Sequence, residues 1–204
     1  MRRPPLPPPA ASPPSTSGDP SSVFPPYALI TRTPAYDLRL YSPHWILSTP
    51  YTRRDEGFER LGAYGAGANA AGTRAQAAAQ PVVMWFPSRA AASPSGSGAV
   101  EKRMTLHIVG AELGGAPPPA PTTPGVSLDV GGGEVLAVAR FEGYATPDAT
   151  LDALDALLAS LAGDGVQLSA QAAGAGGAFR LAQYGPLFTM ETRVNEVQVA
   201  VALG

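Results

Sequence analysis

The sequence predicts an α+β fold in which an antiparallel, barrel-like sheet of two similar halves carries two helices on its outside. Three observations lead there. Short apolar segments alternate with polar residues and stop at Gly, Pro or Ser, as half-buried strands do. Two other segments carry apolar residues at helical spacing. The order strand, strand, helix, strand, strand then occurs twice along the chain, the pattern of an internal duplication.

In the first half, Leu38 and Leu40, followed by Trp45-Ile46-Leu47, predict two strands turned at Ser42-Pro43. Residues 55–64 carry Phe58 and Leu61 one turn apart and predict a helix that Gly57 and Gly62 weaken. Residues 82–86 are an apolar run suited to a buried strand, and residues 87–99 have loop composition. Met104, Leu106 and Ile108 alternate with Arg103, Thr105 and His107, which puts the histidine on the face away from the core. A proline-rich loop at residues 117–124 separates the halves. In the second half, residues 126–130 and 135–141 predict strands joined by Gly131-Gly132-Gly133. The strongest helix signal follows: Thr146 as N-cap, Pro147 at the first position, Asp148 against the dipole, and Gly163 or Gly165 at the end. Leu151, Leu154, Leu158 and Leu161 are its expected buried stripe. Residues 179–184 and 194–201 supply two closing strands.

Composition divides the chain further. Ten of its 23 prolines fall in residues 1–26, which have little to bury and are expected to be disordered or polyproline II unless a partner holds them. Arg2-Arg3-Pro4-Pro5-Leu6-Pro7-Pro8 suits an aromatic-lined groove on a protein partner. Residues 27–204 form the expected domain. With 14 Lys and Arg against 16 Asp and Glu there is no concentrated basic face, so no nucleic acid is expected. The absence of cysteine excludes disulfides and thiolate metal sites. No apolar run approaches 18 residues, so no membrane insertion is expected. The start has no apolar signal core and too much proline for a transit helix, which favours the cytoplasm.

Several segments resemble a known family. Residues 36–41 (Tyr-Asp-Leu-Arg-Leu-Tyr) resemble the opening strand of the SOUL haem-binding proteins. Gly57-Phe58-Glu59-Arg60-Leu61 and the run from Tyr64 to Asn69 resemble the first helix and the glycine-asparagine turn of that family. Pro81-Val82 matches its proline-valine pair. Residues 138–144 resemble the strand before its second helix, while residues 181–184 and 192–197 resemble its closing strands. The resemblance runs over residues 27–204 and implies a distorted antiparallel β-barrel of two pseudo-symmetric halves, shared with gyrase-inhibitor-like proteins. It also implies haem or another tetrapyrrole bound in a surface groove beside the first helix, with basic groups meeting the propionates. Cilium and plastid are the alternative locations it implies, alanine and glycine enrichment being usual in algal sequences.

The groove residues implied are Arg74, His44, Trp45, Phe58 and Tyr64. His44 is either an axial contact or a turn histidine, and Met84, Trp85 and Phe86 are either slot or core. Where the family carries large groove residues, this chain reads Arg74-Ala75-Gln76-Ala77-Ala78-Ala79-Gln80. Each large side chain exchanged for alanine removes about 1.5–3 kcal/mol of burial. Asn195 and Glu196 are expected to tie a strand end. With no Gly-x-Ser-x-Gly elbow and two histidines outside any catalytic or metal spacing, no enzyme is expected. The expected function is therefore non-enzymatic tetrapyrrole binding. The alternative is a scaffold subunit of a larger assembly that has lost the pocket, its tail docking on a partner.

Overall fold

Strand pairing makes the duplication visible. The computed structural model describes residues 24–74, 80–92, 101–111, 113–174, 176–184 and 194–202. Among them are strands β1 (Tyr27–Arg32), β2 (Asp37–Tyr41), β3 (His44–Tyr51), β4 (Val82–Phe86) and β5 (Lys102–His107). The second half supplies β6 (Ser127–Gly131), β7 (Val135–Glu142), β8 (Phe179–Gln183) and β9 (Val194–Ala200). Helices α1 (Arg54–Gly65) and α2 (Pro147–Gly163) are the long ones, and α3 (Ala170–Ala173) is a single turn.

The sheet order is β1-β2-β7-β9-β8-β4-β5-β3-β6, antiparallel throughout. Exchanging β2 with β6, β3 with β7, β4 with β8 and β5 with β9 reverses the order from β2 to β6 and leaves it otherwise unchanged. A pseudo-twofold axis therefore passes between β4 and β8. Strand β1 has no counterpart in this scheme. The sheet curls into a half-barrel whose edges, β1 and β6, do not pair with each other among the described strands.

The convex face holds the main core. Helix α1 packs on β3 and β5, and α2 packs on the symmetry-related β7 and β9. Met84, Met104, Leu181 and Val197 lie between sheet and helices with no exposed surface. The Thr146 hydroxyl accepts from the Ala149 amide at 3.2 Å and caps α2 as its sequence predicts. Gly165, at φ +71°, ends it, with the Val166 amide reaching back to Leu161 O at 2.9 Å. The buried stripe of α2 is Thr150, Leu154, Leu157 and Leu161, while Leu151 and Leu158 are half-buried. Leucines flank the Leu154–Leu161 line on both sides, so spacing alone cannot select the flank; contact with β7 and β9 selects the Leu157 side.

Candidate functional site

Alternation along each strand sends every second side chain to the concave face, and register states which of them share a row. Across β5, β4, β8 and β9 one row is Arg103, Trp85, Arg180 and Gln198. The neighbouring row is Thr105, Val83, Ala182 and Glu196. Strand β3 adds Ser48 beside Thr105 and Ile46 beside His107. Above these rows lies a cleft of about 460 Å³ bounded by Tyr41, His44, Ile46, Trp85, Leu136 and Arg180. That volume falls within the roughly 300–1,000 Å³ of small-molecule sites.

Polar groups surround an apolar floor. Arg180 Nη2 donates to Glu134 Oε1 at 2.7 Å. Arg103 Nη1 donates to Ser48 Oγ at 3.3 Å, and its side chain is 47% exposed. His44 is buried at the end of β3. Its Nδ1 lies 2.8 Å from the Ser42 carbonyl, which can only accept, so Nδ1 carries the hydrogen and Nε2 the lone pair of the neutral ring. The His107 ring stands edge-on to it at 5.1 Å between centroids. Burial pushes the His44 pKa down; the Ser42 carbonyl opposes this and the Arg180 charge adds to it.

The other half of the concave face is filled. Glu196 has no exposed surface. Its Oε1 accepts from Arg39 Nη1 at 3.0 Å and faces Arg140 Nε at 3.4 Å; its Oε2 accepts from the Tyr184 hydroxyl at 2.7 Å and Gln198 Nε2 at 3.2 Å. Arg39, equally buried, also donates to Asp37 Oδ2 at 2.9 Å and lies 4.8 Å from the Tyr27 ring centre. Burial works against the Arg39 charge, but Glu196, Tyr41 and Asp37 outweigh it and hold the guanidinium firmly protonated. Burial together with Glu196 raises both Tyr41 and Tyr184, which keeps them neutral donors. Burial pulls Asp37 upward, yet hydrogen bonds from Arg32 and Arg39 bring it below the usual carboxylate range. Tyr27 on β1 and Phe24 before it cover this network, Phe24 lying 6.0 Å from the Tyr184 ring. The strand without a pseudo-symmetric counterpart is thus the one that closes this half.

The residues implied for a groove beside α1 do not converge. Tyr64 is 3% exposed and donates its hydroxyl to Pro119 O at 2.9 Å, which pins the proline-rich loop to the helix. Asn69 is also buried and bonds the carbonyls of Tyr64 and Thr73, so this motif is a structural knot. Phe58 packs partly against the core, and Trp45 points to the same convex side. Arg74 is exposed past the end of the turn, and residues 75–79 lie outside the described residues, as does Arg193. His44 alone of the five faces the cleft. Met84 and Phe86 are core, whereas Trp85 between them lines the cleft. Asn195 does tie a strand end, its amide donating to Gly143 O at 2.9 Å, but Glu196 is the centre of the buried network.

Arg103, Arg180 and Gln198 escaped the sequence reading. Their alternation with Met104, Leu181 and Val197 was the available signal; which strands lie side by side was not.

The fold is thus an antiparallel half-barrel of two pseudo-repeats, with a mixed apolar and cationic cleft on its inner face. The profile of the SOUL heme-binding proteins matches residues 24–200, and the chain belongs to that family. Among curated proteins no sequence match is found. Among solved structures, the fold is similar to that of a hydrolase encoded by lin2189 of Listeria innocua. The TM-score is 0.57 at 9% identity, covering 82% of this chain and 92% of that one. SAV2435 bound to tetraphenylphosphonium aligns with a TM-score of 0.43 at 10% identity, over 82% of this chain and 93% of that one.

Proposed function

We propose that this chain is a non-enzymatic domain that binds haem or a related tetrapyrrole in the concave cleft. The observation that carries this reading is the cleft itself, where Ile46, Val83, Trp85 and Leu136 offer apolar surface and Arg103 and Arg180 offer partners for acids. His44 Nε2 has the lone pair that a metal ligand needs. A bound haem would supply an iron centre; the protein supplies the apolar seat, the cations and this imidazole. Binding without catalysis is supported by the state of the acids and bases. Glu196 is surrounded by four donors, and His44 has spent its Nδ1 hydrogen on a carbonyl.

Titration of the purified protein with hemin tests the reading. A saturable Soret shift at micromolar protein supports it, and spectra that only sum free hemin and protein overturn it. A second reading, an interaction subunit of a larger assembly, is favoured by the apolar edge at β1 and β2. There Leu29, Ile30 and Leu40 are 39%, 48% and 40% exposed. Under that reading residues 1–26 dock on the partner. A protein that purifies alone and binds hemin stoichiometrically refutes it.

A further inference from the structure

We infer that His44 and His107 together form a site for a late first-row divalent cation, of the zinc or copper kind, at the end of the cleft. This site stands apart from the tetrapyrrole reading, since it needs no ring and brings in a residue that reading does not use.

The two histidines are far apart in the sequence, and the strand order joins them. His44 opens β3 and His107 ends β5. Ile46 pairs with His107, so His44, two residues earlier on the same face of β3, lies diagonally across from it. The ring centres are 5.1 Å apart and the ring planes cross at 73°. With metal–nitrogen bonds of about 2.1 Å and each ring centre about 1.1 Å behind its nitrogen, two imidazoles on a tetrahedral ion have centres about 5.2 Å apart. A nitrogen lone pair lies in the plane of its ring, so an ion held by both rings sits where the two planes meet. Stacked rings have no such line, whereas rings that cross at 73° do.

His44 is already held as a ligand is. Its Nδ1 donates to the Ser42 carbonyl at 2.8 Å, which fixes the ring and leaves the lone pair on Nε2. A carbonyl behind the ring is a common support of a metal-bound imidazole. Burial favours the neutral ring, the form that binds metal. A β-carbon on Gly131 would stand 3.5 Å from Nε2, and one on Gly132 3.2 Å from Nδ1, so the ring edge borders backbone rather than side chains. The Arg180 charge works against a cation here, and Glu134, bonded to Arg180 at 2.7 Å, offsets it. Among the described residues no third His, Asp or Glu completes a set of three. The remaining coordination positions therefore belong to water or to a ligand in the cleft. Imidazole donors of this kind select zinc, nickel and copper over magnesium and calcium.

The test is equilibrium dialysis of the full chain, freed of any affinity tag, against Zn2+, Ni2+, Cu2+ and Mg2+ in turn, with bound metal read by atomic absorption. Expected are one ion per chain, Cu2+ bound more tightly than Ni2+ or Zn2+, and no Mg2+. His44→Gln and His107→Gln should each weaken Zn2+ at least 10-fold. Excess Zn2+ should raise the urea midpoint of the wild type and leave that of either variant unchanged. Electron paramagnetic resonance of the Cu2+ form should show two imidazole nitrogens in the wild type. Circular dichroism shows whether each variant is folded, and His107→Gln carries the test where His44→Gln fails to fold. A wild type that binds none of the three ions, or a folded variant that binds them as tightly as the wild type, overturns the site. Hemin binding is read separately by its Soret band, so hemin bound without Zn2+ or Cu2+ overturns the histidine pair and leaves the tetrapyrrole reading standing.

Discussion

Replacing Arg39 by methionine should cost this domain a large part of its stability, and replacing Glu196 as well should restore some of it. Arg39 is wholly buried between two acids, with Glu196 at 3.0 Å and Asp37 at 2.9 Å. Methionine preserves most of its length and none of its charge. Asp37 keeps a second partner, Arg32 at 2.9 Å, but Glu196 keeps only Arg140 at 3.4 Å and two neutral donors. Leaving a buried carboxylate short of its main cation costs about 3–5 kcal/mol. With a urea dependence of roughly 2 kcal/mol per molar, the unfolding midpoint falls by about 2 M. In Arg39→Met/Glu196→Leu the carboxylate short of its main cation is gone, and the remaining losses are the Tyr184 and Gln198 donors that no longer find Oε2, about 1–3 kcal/mol, and the Arg140 contact with Oε1. The double variant should therefore be more stable than Arg39→Met alone. Urea titration followed by tryptophan emission and far-ultraviolet dichroism measures all of these. A single-variant loss below about 1 kcal/mol, or a double variant whose loss equals the sum of the singles, would show that the pair is not coupled as its geometry requires.

Three further outcomes follow from local features. Burial lowers the His44 pKa, so between its ordinary value near 6.5 and the lower folded value the unfolded chain binds a proton that the folded chain does not. Stability should fall with pH through that window by up to about 1.4 kcal/mol per unit, and urea midpoints at pH 7.0, 6.0 and 5.5 should show a shallower slope in His44→Gln. An unchanged slope removes His44 as the cause. Gly132 has φ +82°, and a β-carbon there would sit 2.3 Å from the Ser42 carbonyl oxygen, the same atom that orients His44. Gly132→Ala should lower the melting temperature and alter hemin spectra together, and a variant that melts and binds like the wild type contradicts this. Thr146→Ala removes the hydroxyl cap of α2 and should cost about 1 kcal/mol in urea unfolding, whereas Thr146→Ser should cost little.

The local code of this chain is unusually plain in some places and silent in others. Thr146, Pro147 and Gly165 bound α2 because caps act through atoms a few residues away, and such signals survive in a linear string. Strand β1 was not anticipated: Tyr27–Arg32 alternates weakly, and most of its residues are exposed, since β1 pairs on one side only and its register shifts between Leu29 and Thr31. Gly57 weakened the prediction of α1, yet its place is explained by Met104, whose Cε would lie 2.8 Å from any β-carbon there. A helix glycine that looks like a defect along the chain is a point of close approach across it.

The site divides along the same line. His44 was named from the sequence, because a histidine beside a turn is conspicuous. Tyr64 and Phe58, expected in a groove beside α1, face inward, while His44 faces the opposite side of the sheet. By itself the sequence determined the α+β class, the duplicated order of elements, the family and the absence of cysteine chemistry, all of which depend on spacing and residue type. Only the tertiary structure decided that Arg103, Trp85 and Arg180 form one row and that Glu196 is locked to Arg39, 157 positions away. Those juxtapositions follow from which strand edges pair. Pairing between distant strands is set by the burial of the whole sheet against α1 and α2, a collective balance that no local stretch of residues encodes.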